Sequence, residues 1–223
     1  MRVAVLSSGG KDSSAAWWWA ICKGWEVKHL VTVNITGSDS MMFQVPGTEI
    51  VEHQARLAGI DWLSIDSDGE ESNEIGDLES GLRTLDIDAI VCGALRSDYQ
   101  KSRIERMCHR LGIISFTPLW HQSPLNHITG LVKNGFGVMI SSVGCEGLDA
   151  SWIGKILDND SLEELFTLSN KYRFNIDGEG GEYETMVVSG PHFKGIINVN
   201  GSTNWDGRRG NLAIMSIDSS FDG

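Results

Sequence analysis

Proline is scarce in this sequence of 223 residues, with 4 in all, and no two cysteines are spaced as CxxC. Cys22, Cys92, Cys108 and Cys145 are widely separated, which favours reduced structural thiols over a disulfide framework or a zinc site. The longest apolar run, residues 15–22, is far below the ~20 residues that a membrane helix needs. Nothing at the start resembles a targeting signal. These absences predict a cytoplasmic protein with no membrane partner.

Basic residues are also in the minority, with 18 against 30 acidic side chains and a net charge of −12. That balance argues against a nucleic-acid partner and against an anionic membrane surface. The charge is uneven, because residues 61–88 carry ten acids and one arginine, whereas residues 96–110 carry five bases and two acids. We interpret the acidic stretch as a solvated loop and helix face, and the basic stretch as a local island.

Hydrophobic residues make up 41% of the chain, enough to bury a sizeable core in one or two domains. Short apolar strands alternate with helical patterns through the first half, which predicts βαβ crossovers and a doubly wound, mostly parallel sheet. The predicted strands are residues 3–6, 27–33, 62–65, 88–92 and 113–116. The predicted helices are residues 13–23, 48–58, 78–85 and 101–111. Sheets of this kind bind ligands at the carboxyl ends of their strands.

The rhythm changes after residue 120, and a smaller α/β domain is expected there. Its predicted helices are residues 125–134 and 161–170. Its predicted strands are residues 137–143, 185–188, 195–199 and 212–217. We place the domain boundary between residues 122 and 123. The three adjacent tryptophans at residues 17–19 are interpreted as core packing, since neighbouring helical residues point about 100° apart and cannot share one stacking face.

The segment from Ser7 to Ser13 reads SSGGKDS and joins the first strand to the first helix. Two glycines let successive amides face inward as an anion nest, and the helix N-terminus favours an anion. Lys11 adds a cation, and Ser13 or Ser14 is predicted to cap the helix. An ordinary glycine turn is the alternative. Spacing excludes a Walker A loop, which would need glycine where Val5 stands, and no GxGxxG dinucleotide pattern fits.

The hexapeptide SGGKDS, directly after a strand, resembles the SGGxDS loop of the PP-loop, or N-type, ATP pyrophosphatases. The resemblance implies an adenine nucleotide alpha hydrolase-like fold and cleavage of ATP between its α and β phosphates. The loop would hold the pyrophosphate portion, and the backbone at the end of the second strand would meet adenine. The residues implied to bind ATP are Ser7, Ser8, Gly9, Gly10, Lys11, Asp12, Ser13, Thr32, Val33, Asn34 and Gly93.

Two further segments carry unusual chemistry. The run from Gly93 to Glu105 follows the fourth strand, so it lies on the phosphate loop's side of the sheet. Arg103, Arg106 and Arg110 share one helix face there, although for the last two a solvated face paired with nearby acids is the preferred interpretation.

The second segment, GEGGEYET at residues 178–185, holds three carboxylates before an apolar strand. Glu182 and Glu184 would share a side if that strand began early, and they would bind Mg²⁺, orient an amine or repel anions. A flexible surface loop is the alternative.

Together with Pro118-Leu119-Trp120, these segments resemble, in their order along residues 1–193, the archaeal and eukaryotic diphthine–ammonia ligases. Gln44 and Gly47 depart from the family's usual His and Asn, and the last thirty residues carry no usable motif. The resemblance implies that residues 1–122 form the N-type ATP pyrophosphatase domain and residues 123–223 a substrate-binding domain. The implied partners are ammonia and elongation factor 2 carrying diphthine, with ATP and Mg²⁺ as cofactors; a homo-oligomer is left open.

In the implied reaction the diphthine carboxylate is adenylated and ammonia then displaces AMP. Free ammonia is the expected donor, since Arg2 stands where an N-terminal-nucleophile glutaminase needs cysteine. The implied catalytic residues are Lys11, Asp12, Arg103, Glu182 and Glu184, with Asp12 also a candidate Mg²⁺ ligand. The implied substrate-binding residues are Tyr99, Gln100, Arg103, Glu105, Gly181, Glu182, Glu184 and Thr185. The alternatives are a PP-loop enzyme that adenylates another acceptor such as tRNA, and a non-catalytic module that senses AMP or ATP.

Overall fold

The first half of the chain forms a parallel sheet. After each of the first four strands a helix carries the chain back to the end of the sheet at which that strand began, so the next strand runs in the same direction. The structure is a computed structural model that describes residues 1–35, 48–70 and 73–221. The strand order is β3-β2-β1-β4-β5, with every neighbouring pair parallel. The strands are β1 (Arg2–Leu6), β2 (Glu26–Ile35), β3 (Asp61–Ser67), β4 (Ala89–Cys92) and β5 (Ile114–Phe116). The predicted parallel α/β fold is confirmed.

Among the described residues, four helices accompany this sheet: α1 (Lys11–Cys22), α2 (Ile50–Ala58), α3 (Glu74–Leu82) and α4 (Asp98–Leu111). The core prediction for the tryptophans is confirmed at Trp17, which is 1% exposed. Trp19 is half-buried and packs edge-on against Trp25 at 5.1 Å between ring centroids. Gln44 and Gly47 lie outside the described residues.

The N-terminus of α1 differs from the sequence prediction. The helix begins at Lys11, and its N-cap is Gly10, whose backbone is extended and which offers no side-chain cap. Ser13 and Ser14 therefore already lie in the first turn, and the predicted serine cap is wrong. The Ser13 hydroxyl instead donates back to the Gly10 carbonyl at 3.1 Å.

The acidic stretch is only partly the solvated face that its composition predicts. Asp61, Asp66 and Asp68 are exposed, but Glu74 and Glu79 are buried. Glu79 accepts hydrogen bonds from Arg110 Nε at 2.8 Å and from Arg83 Nη2 at 2.6 Å. Charge counting could not predict this, because the burial depends on α4 bringing Arg110 against α3.

The second half of the chain forms a four-stranded antiparallel sheet of order β7-β6-β9-β8 with two helices. Its elements are α5 (Pro124–Lys133), β6 (Gly137–Val143), α6 (Asn159–Tyr172), β7 (Tyr183–Ser189), β8 (Gly195–Trp205) and β9 (Gly210–Phe221). Helix α6 is fixed by a capping box between Asp158 and Ser161. The chain thus forms two units, Met1–Trp120 and His121–Gly223. None of the helices in the described ranges has the length and apolar character to cross a membrane.

Candidate active site

The loop between β1 and α1 has its backbone fixed by its neighbours. Gly9 has φ +81°, a left-handed conformation that glycine adopts without strain. A Cβ on Gly9 would also overlap Ile50 Cγ2 of helix α2. The buried Gln54 side chain, one turn further along α2, donates to the Gly9 carbonyl at 3.0 Å. Helix α2 therefore both requires glycine at position 9 and holds the loop in place.

A chain of hydrogen bonds connects the same loop to strands β2 and β3. The Trp62 indole N–H donates to Thr32 Oγ1 at 3.0 Å, and the Thr32 hydroxyl donates to the Ser7 carbonyl at 3.0 Å. The Gly9 amide in turn donates to Ser7 Oγ at 3.2 Å. The loop is therefore pre-organised by buried groups, which lowers the entropy cost of binding an anion.

The carboxyl end of β2 extends past the end of β1. Leu6, the last residue of β1, is paired with Val31, and the Ser7 amide donates to the Val31 carbonyl at 2.8 Å. Because backbone groups alternate between the two edges of a strand, the amide and carbonyl of Val33 point to the same edge, beyond the end of β1. Thr32 and Asn34 point their backbone groups toward β3, with which they pair.

Lys11 and Asp12 lie in the first turn of α1. The Lys11 side chain is 6% exposed, and its Nζ lies 3.0 Å from Asp12 Oδ2, whose side chain is 27% exposed. The first turn also carries the positive end of the helix dipole. A largely buried cation, a partly exposed carboxylate and a glycine-rich backbone therefore meet at one helix N-terminus, an arrangement suited to an anion with a bound divalent cation.

Gly93 brings the end of β4 against this helix N-terminus. A Cβ on Gly93 would lie 2.6 Å from the Asp12 carbonyl carbon and 2.8 Å from the Ser13 amide nitrogen. These are main-chain atoms, so no side-chain rotation would make room. The structure therefore brings together Gly93 and the SSGGKDS loop, two segments that lie eighty residues apart in the sequence.

Helix α4 follows β4, and Ser97 is its N-cap. The Ser97 Oγ accepts a hydrogen bond from the Gln100 amide at 3.3 Å. The Arg103 guanidinium lies 3.8 Å from the centroid of the Tyr99 ring, a stacking contact that orients its donors. Glu105 is ion-paired with Lys101 at 2.5 Å. Arg106 is exposed, and Arg110 is paired with Glu79, in agreement with the solvated interpretation of those two arginines.

In the second unit the predicted glutamate pair is separated. Strand β7 begins at Tyr183, two residues before the predicted start, so it includes Glu184 but begins one residue too late to include Glu182. The Glu182 carboxylate instead accepts from the Asn175 amide at 2.8 Å and from the Gly180 amide at 2.7 Å. Glu182 therefore stabilises its own loop, while Glu184 lines a cavity.

That cavity has a volume of about 890 Å³ and lies entirely within the second unit. Beside Glu184 and Gly181 it is lined by Trp205, at the end of β8, and by Asp206 and Arg209 of the turn between β8 and β9. None of these three residues was predicted as a site residue, because the last thirty residues carry no usable motif. The signal available was the Asp206-Gly207 turn between two alternating segments, which is typical of a hairpin.

Cys145, the cysteine of the second unit, is a poor nucleophile. Burial, with a smaller contribution from the neighbouring Glu182 charge, raises the pKa of Cys145 to about 11. Thiolate is therefore a minor species at neutral pH. Among the described residues no group of three or more His, Cys, Asp or Glu side chains is arranged to hold a metal.

Two family models together match nearly the whole chain. The family model described as "Diphthamide synthase N-terminal domain" matches residues 1–115, and the one described as "Diphthamide synthase C-terminal domain" matches residues 123–219. The Homo sapiens protein named "Diphthine--ammonia ligase" is 32% identical over 226 residues, covering 91% of this chain and 84% of that protein. The chain belongs to the diphthine–ammonia ligase family.

Other diphthine–ammonia ligases match similarly. The Danio rerio protein is 32% identical, with 87% of this chain and 84% of that protein covered. The Schizosaccharomyces pombe protein is 30% identical over 87% of this chain, which spans only 35% of that longer relative. A solved Methanocaldococcus jannaschii structure, titled as a predicted subunit of tRNA methyltransferase, is 21% identical with a TM-score of 0.47, covering 86% of this chain and 98% of that one. A likeness at that level does not bear on function.

Proposed function

We propose that this protein amidates the diphthine carboxylate of elongation factor 2 with free ammonia, consuming ATP and releasing AMP and pyrophosphate. Membership of the diphthine–ammonia ligase family supports the reaction class. The observation that carries the proposal is the main-chain contact between Gly93 and the start of α1, since it supports a nucleotide site built from the predicted loop and the predicted strand end.

In the first step the diphthine carboxylate oxygen attacks the α-phosphorus of ATP, and the bond from that phosphorus to the bridging oxygen breaks. The Gly10 amide and the Lys11 ammonium stabilise the charge on the departing pyrophosphate. The Val33 backbone, which points past the end of β1, hydrogen-bonds the adenine edge. Arg103, oriented by Tyr99, binds an anionic group of the reactants.

Asp12 fits the role of a Mg²⁺ ligand. Magnesium bound with a nucleotide keeps most of its ligands as phosphate oxygens and water and takes one or two protein carboxylates. Asp12 is such a single carboxylate, partly exposed at the loop. Magnesium there would supply charge neutralisation of the phosphates.

In the second step the ammonia nitrogen attacks the acyl carbon, and AMP leaves with the electron pair of the bond that breaks. The nitrogen loses one proton as the amide forms. We assign that proton to Glu184, whose carboxylate lines the cavity, and we assign to Glu182 the support of the loop that precedes it. Gly181 and Thr185 flank these residues, and Tyr99, Gln100 and Glu105 support the Arg103 segment.

AMP formation tests the reaction. The protein is incubated with ATP, Mg²⁺, ammonium and diphthine-bearing elongation factor 2, and AMP is measured with each component omitted in turn. AMP that depends on both the acceptor and ammonium supports the ligase. Tight ATP binding without turnover would instead support a nucleotide sensor, and acceptor-independent AMP would contradict the amidation.

Two substitutions test the assigned residues. Lys11→Ala and Glu184→Gln are each expected to reduce turnover by at least about a hundredfold, the usual effect of losing a charged transition-state contact or a catalytic base. Exposed residues Lys133→Ala and Glu163→Gln serve as charge-matched controls and are expected to leave kcat unchanged. Full activity in either test variant would remove that residue from the mechanism.

A further inference from the structure

The cavity of the second unit is built across three adjacent strands. Ser142 of β6 is paired with Glu184 of β7 on one side and with Asn211 of β9 on the other. Directly opposed residues in a sheet point to the same face with Cβ atoms roughly 5 Å apart, so these three side chains form one row. All three line the cavity, and the β8–β9 turn forms another part of its wall.

The Trp205 indole occupies space that is left by a glycine on the opposite strand. Trp205 is paired with Gly210 across the hairpin, and a Cβ on Gly210 would lie 2.8 Å from Trp205 Cε3. The same Cβ would lie 3.0 Å from Ile153 Cδ1, so the space beside the indole is already filled. The indole therefore has a fixed, half-buried position from which it lines the cavity.

The charged groups of the cavity have both signs. Asp206 accepts hydrogen bonds from the Arg208 and Arg209 amides at 2.8 and 2.9 Å, which lowers the pKa of its carboxyl and fixes the turn. Arg209 lines the cavity from this turn, and Glu184 lines it from the sheet. An indole, a carboxylate and a guanidinium together suit a ligand that is itself a zwitterion with an apolar cation.

We infer that this cavity binds the betaine head group of the acceptor, with its quaternary ammonium on the Trp205 indole beside Glu184 and its carboxylate at Arg209. The inference rests on the proposed function, because diphthine carries a trimethylammonium group next to the carboxylate that is amidated. Indole is the most favourable aromatic face for a quaternary ammonium, and the nearby carboxylate adds charge attraction. The cavity volume of about 890 Å³ falls in the usual range for small-ligand sites.

Other occupants fit less well. A phosphate or nucleotide would face the Glu184 and Asp206 carboxylates with Arg209 as the cationic side chain of the wall. A bare metal ion would gain nothing from an indole, and ammonia alone is too small to contact Trp205 and Arg209 together. A betaine would engage the Trp205 indole and the Glu184 carboxylate with its cation, and Arg209 with its carboxylate.

Direct binding of a small probe tests the site without turnover. The intact protein, labelled with ¹⁵N on its indoles, is titrated with glycine betaine, with tetramethylammonium and with acetate. We expect the Trp205 indole signal to shift with the first two and to shift little with acetate. Trp205→Leu is expected to weaken betaine binding about tenfold and Trp205→Phe less, measured by calorimetry. Betaine that binds equally to both variants, or that leaves the Trp205 signal unmoved, would overturn the assignment.

Two neighbouring arginines provide a matched pair. Arg208 and Arg209 both donate their amides to Asp206, but only Arg209 is among the cavity-lining residues. Arg209→Gln is expected to raise the KM for diphthine-bearing elongation factor 2 about tenfold and to leave tetramethylammonium binding unchanged. Arg208→Gln is expected to change neither.

The two levels of the proposal fail in different ways. A wild-type protein that forms no acceptor-dependent AMP contradicts the proposed function, whatever the probe does. An active wild-type protein whose Trp205→Leu and Arg209→Gln variants keep the normal KM, with circular dichroism unchanged, contradicts the betaine site alone.

Discussion

At the scale of single residues, two glycines show different reasons for lacking a side chain. Gly9 has a left-handed backbone and also faces Ile50. Gly93 has an ordinary backbone, and a side chain at that position is excluded by the main chain of Asp12 and Ser13. The sequence predicted the first reason, because paired glycines before a helix are typical of an anion nest. It could not predict the contacts, since both come from segments far away in the chain.

Gly9→Ala is expected to cost more than backbone strain alone. A left-handed non-glycine residue costs roughly 1–2 kcal/mol, and overpacking against Ile50 adds about 1–3 kcal/mol. Chemical denaturation measures the loss of unfolding free energy, and calorimetry measures the expected loss of ATP affinity.

Gly24→Ala is the matched control for that measurement. Gly24 has φ +70°, but nothing lies within 4 Å of its Cβ position, so it carries the strain without the clash. We expect a loss of only about 1–2 kcal/mol there, with ATP affinity unchanged. Equal losses in the two variants would show that Ile50 yields at no cost.

The glutamates show where residue patterns stop being informative. The predicted strand begins at residue 185, and the positions of both Glu182 and Glu184 depend on where β7 begins, which is Tyr183. That beginning is fixed by the Asn175 and Gly180 amides that hold the Glu182 carboxylate, and by the Tyr183 hydroxyl, which donates to the Ile176 carbonyl at 2.6 Å. Such loop hydrogen bonds leave no period in the sequence.

At the scale of elements, every described α-helix and sheet strand has a counterpart in the sequence prediction, but several bounds differ, and the 3-10 turn Ala150–Trp152 has none. Helix α4 begins at Asp98 rather than residue 101, because Ser97 caps it. Strands β8 and β9 run to Trp205 and from Gly210, well beyond the predicted apolar cores. Their outer parts are polar residues such as Asn204 and Asn211, which pair across the hairpin without an apolar signal.

The pairing of α3 with α4 makes stability depend on pH. The hydrogen bond from Arg110 holds the pKa of Glu79 below its ordinary value, with a smaller contribution from Arg83. A carboxyl whose pKa is lowered by folding stabilises the protein above the unfolded value of about 4.5, and this stabilisation is lost as pH falls through the lowered pKa. We therefore expect Glu79→Gln to lower Tm at pH 7, and we expect this difference in Tm to shrink progressively as the pH falls below about 4.5.

Glu52→Gln controls for the simple loss of a surface charge. Glu52 lies exposed on α2, and its replacement is expected to leave the dependence of Tm on pH the same as in the wild type. The comparison is made by differential scanning calorimetry between pH 3 and pH 8. A Tm difference for Glu79→Gln that is constant over this range would contradict the ion-pair account.

At the scale of the whole molecule, the four cysteines are all free but unequally reactive. Cys22 is exposed, whereas burial raises the pKa of Cys92, Cys108 and Cys145 to about 11 in each case. Titration of the native protein with Ellman's reagent at pH 8 is therefore expected to show one fast thiol and three slow ones. Cys22→Ser is expected to remove the fast phase, and any fast thiol that remains in that variant would contradict the burial of the other three.

The sequence predicted the phosphate loop more completely than the cavity of the second unit. The loop is a contiguous motif whose chemistry follows from its residue types, so SSGGKDS could be interpreted alone. The cavity combines Glu184 with Trp205 and Arg209, which are brought together only where β6 pairs with both β7 and β9. No local pattern marks a site assembled from three strands.

The contact at Gly93 also supplies a criterion for judging other sequences. A side chain there would meet main-chain atoms of Asp12 and Ser13, so no substitution at another side chain creates the space for it. A homologue that keeps the loop motif but carries a larger residue at this place has to have moved the loop away from the sheet. Such homologues are the ones to examine first for pseudoenzymes, because an intact motif would conceal the loss of the site behind it.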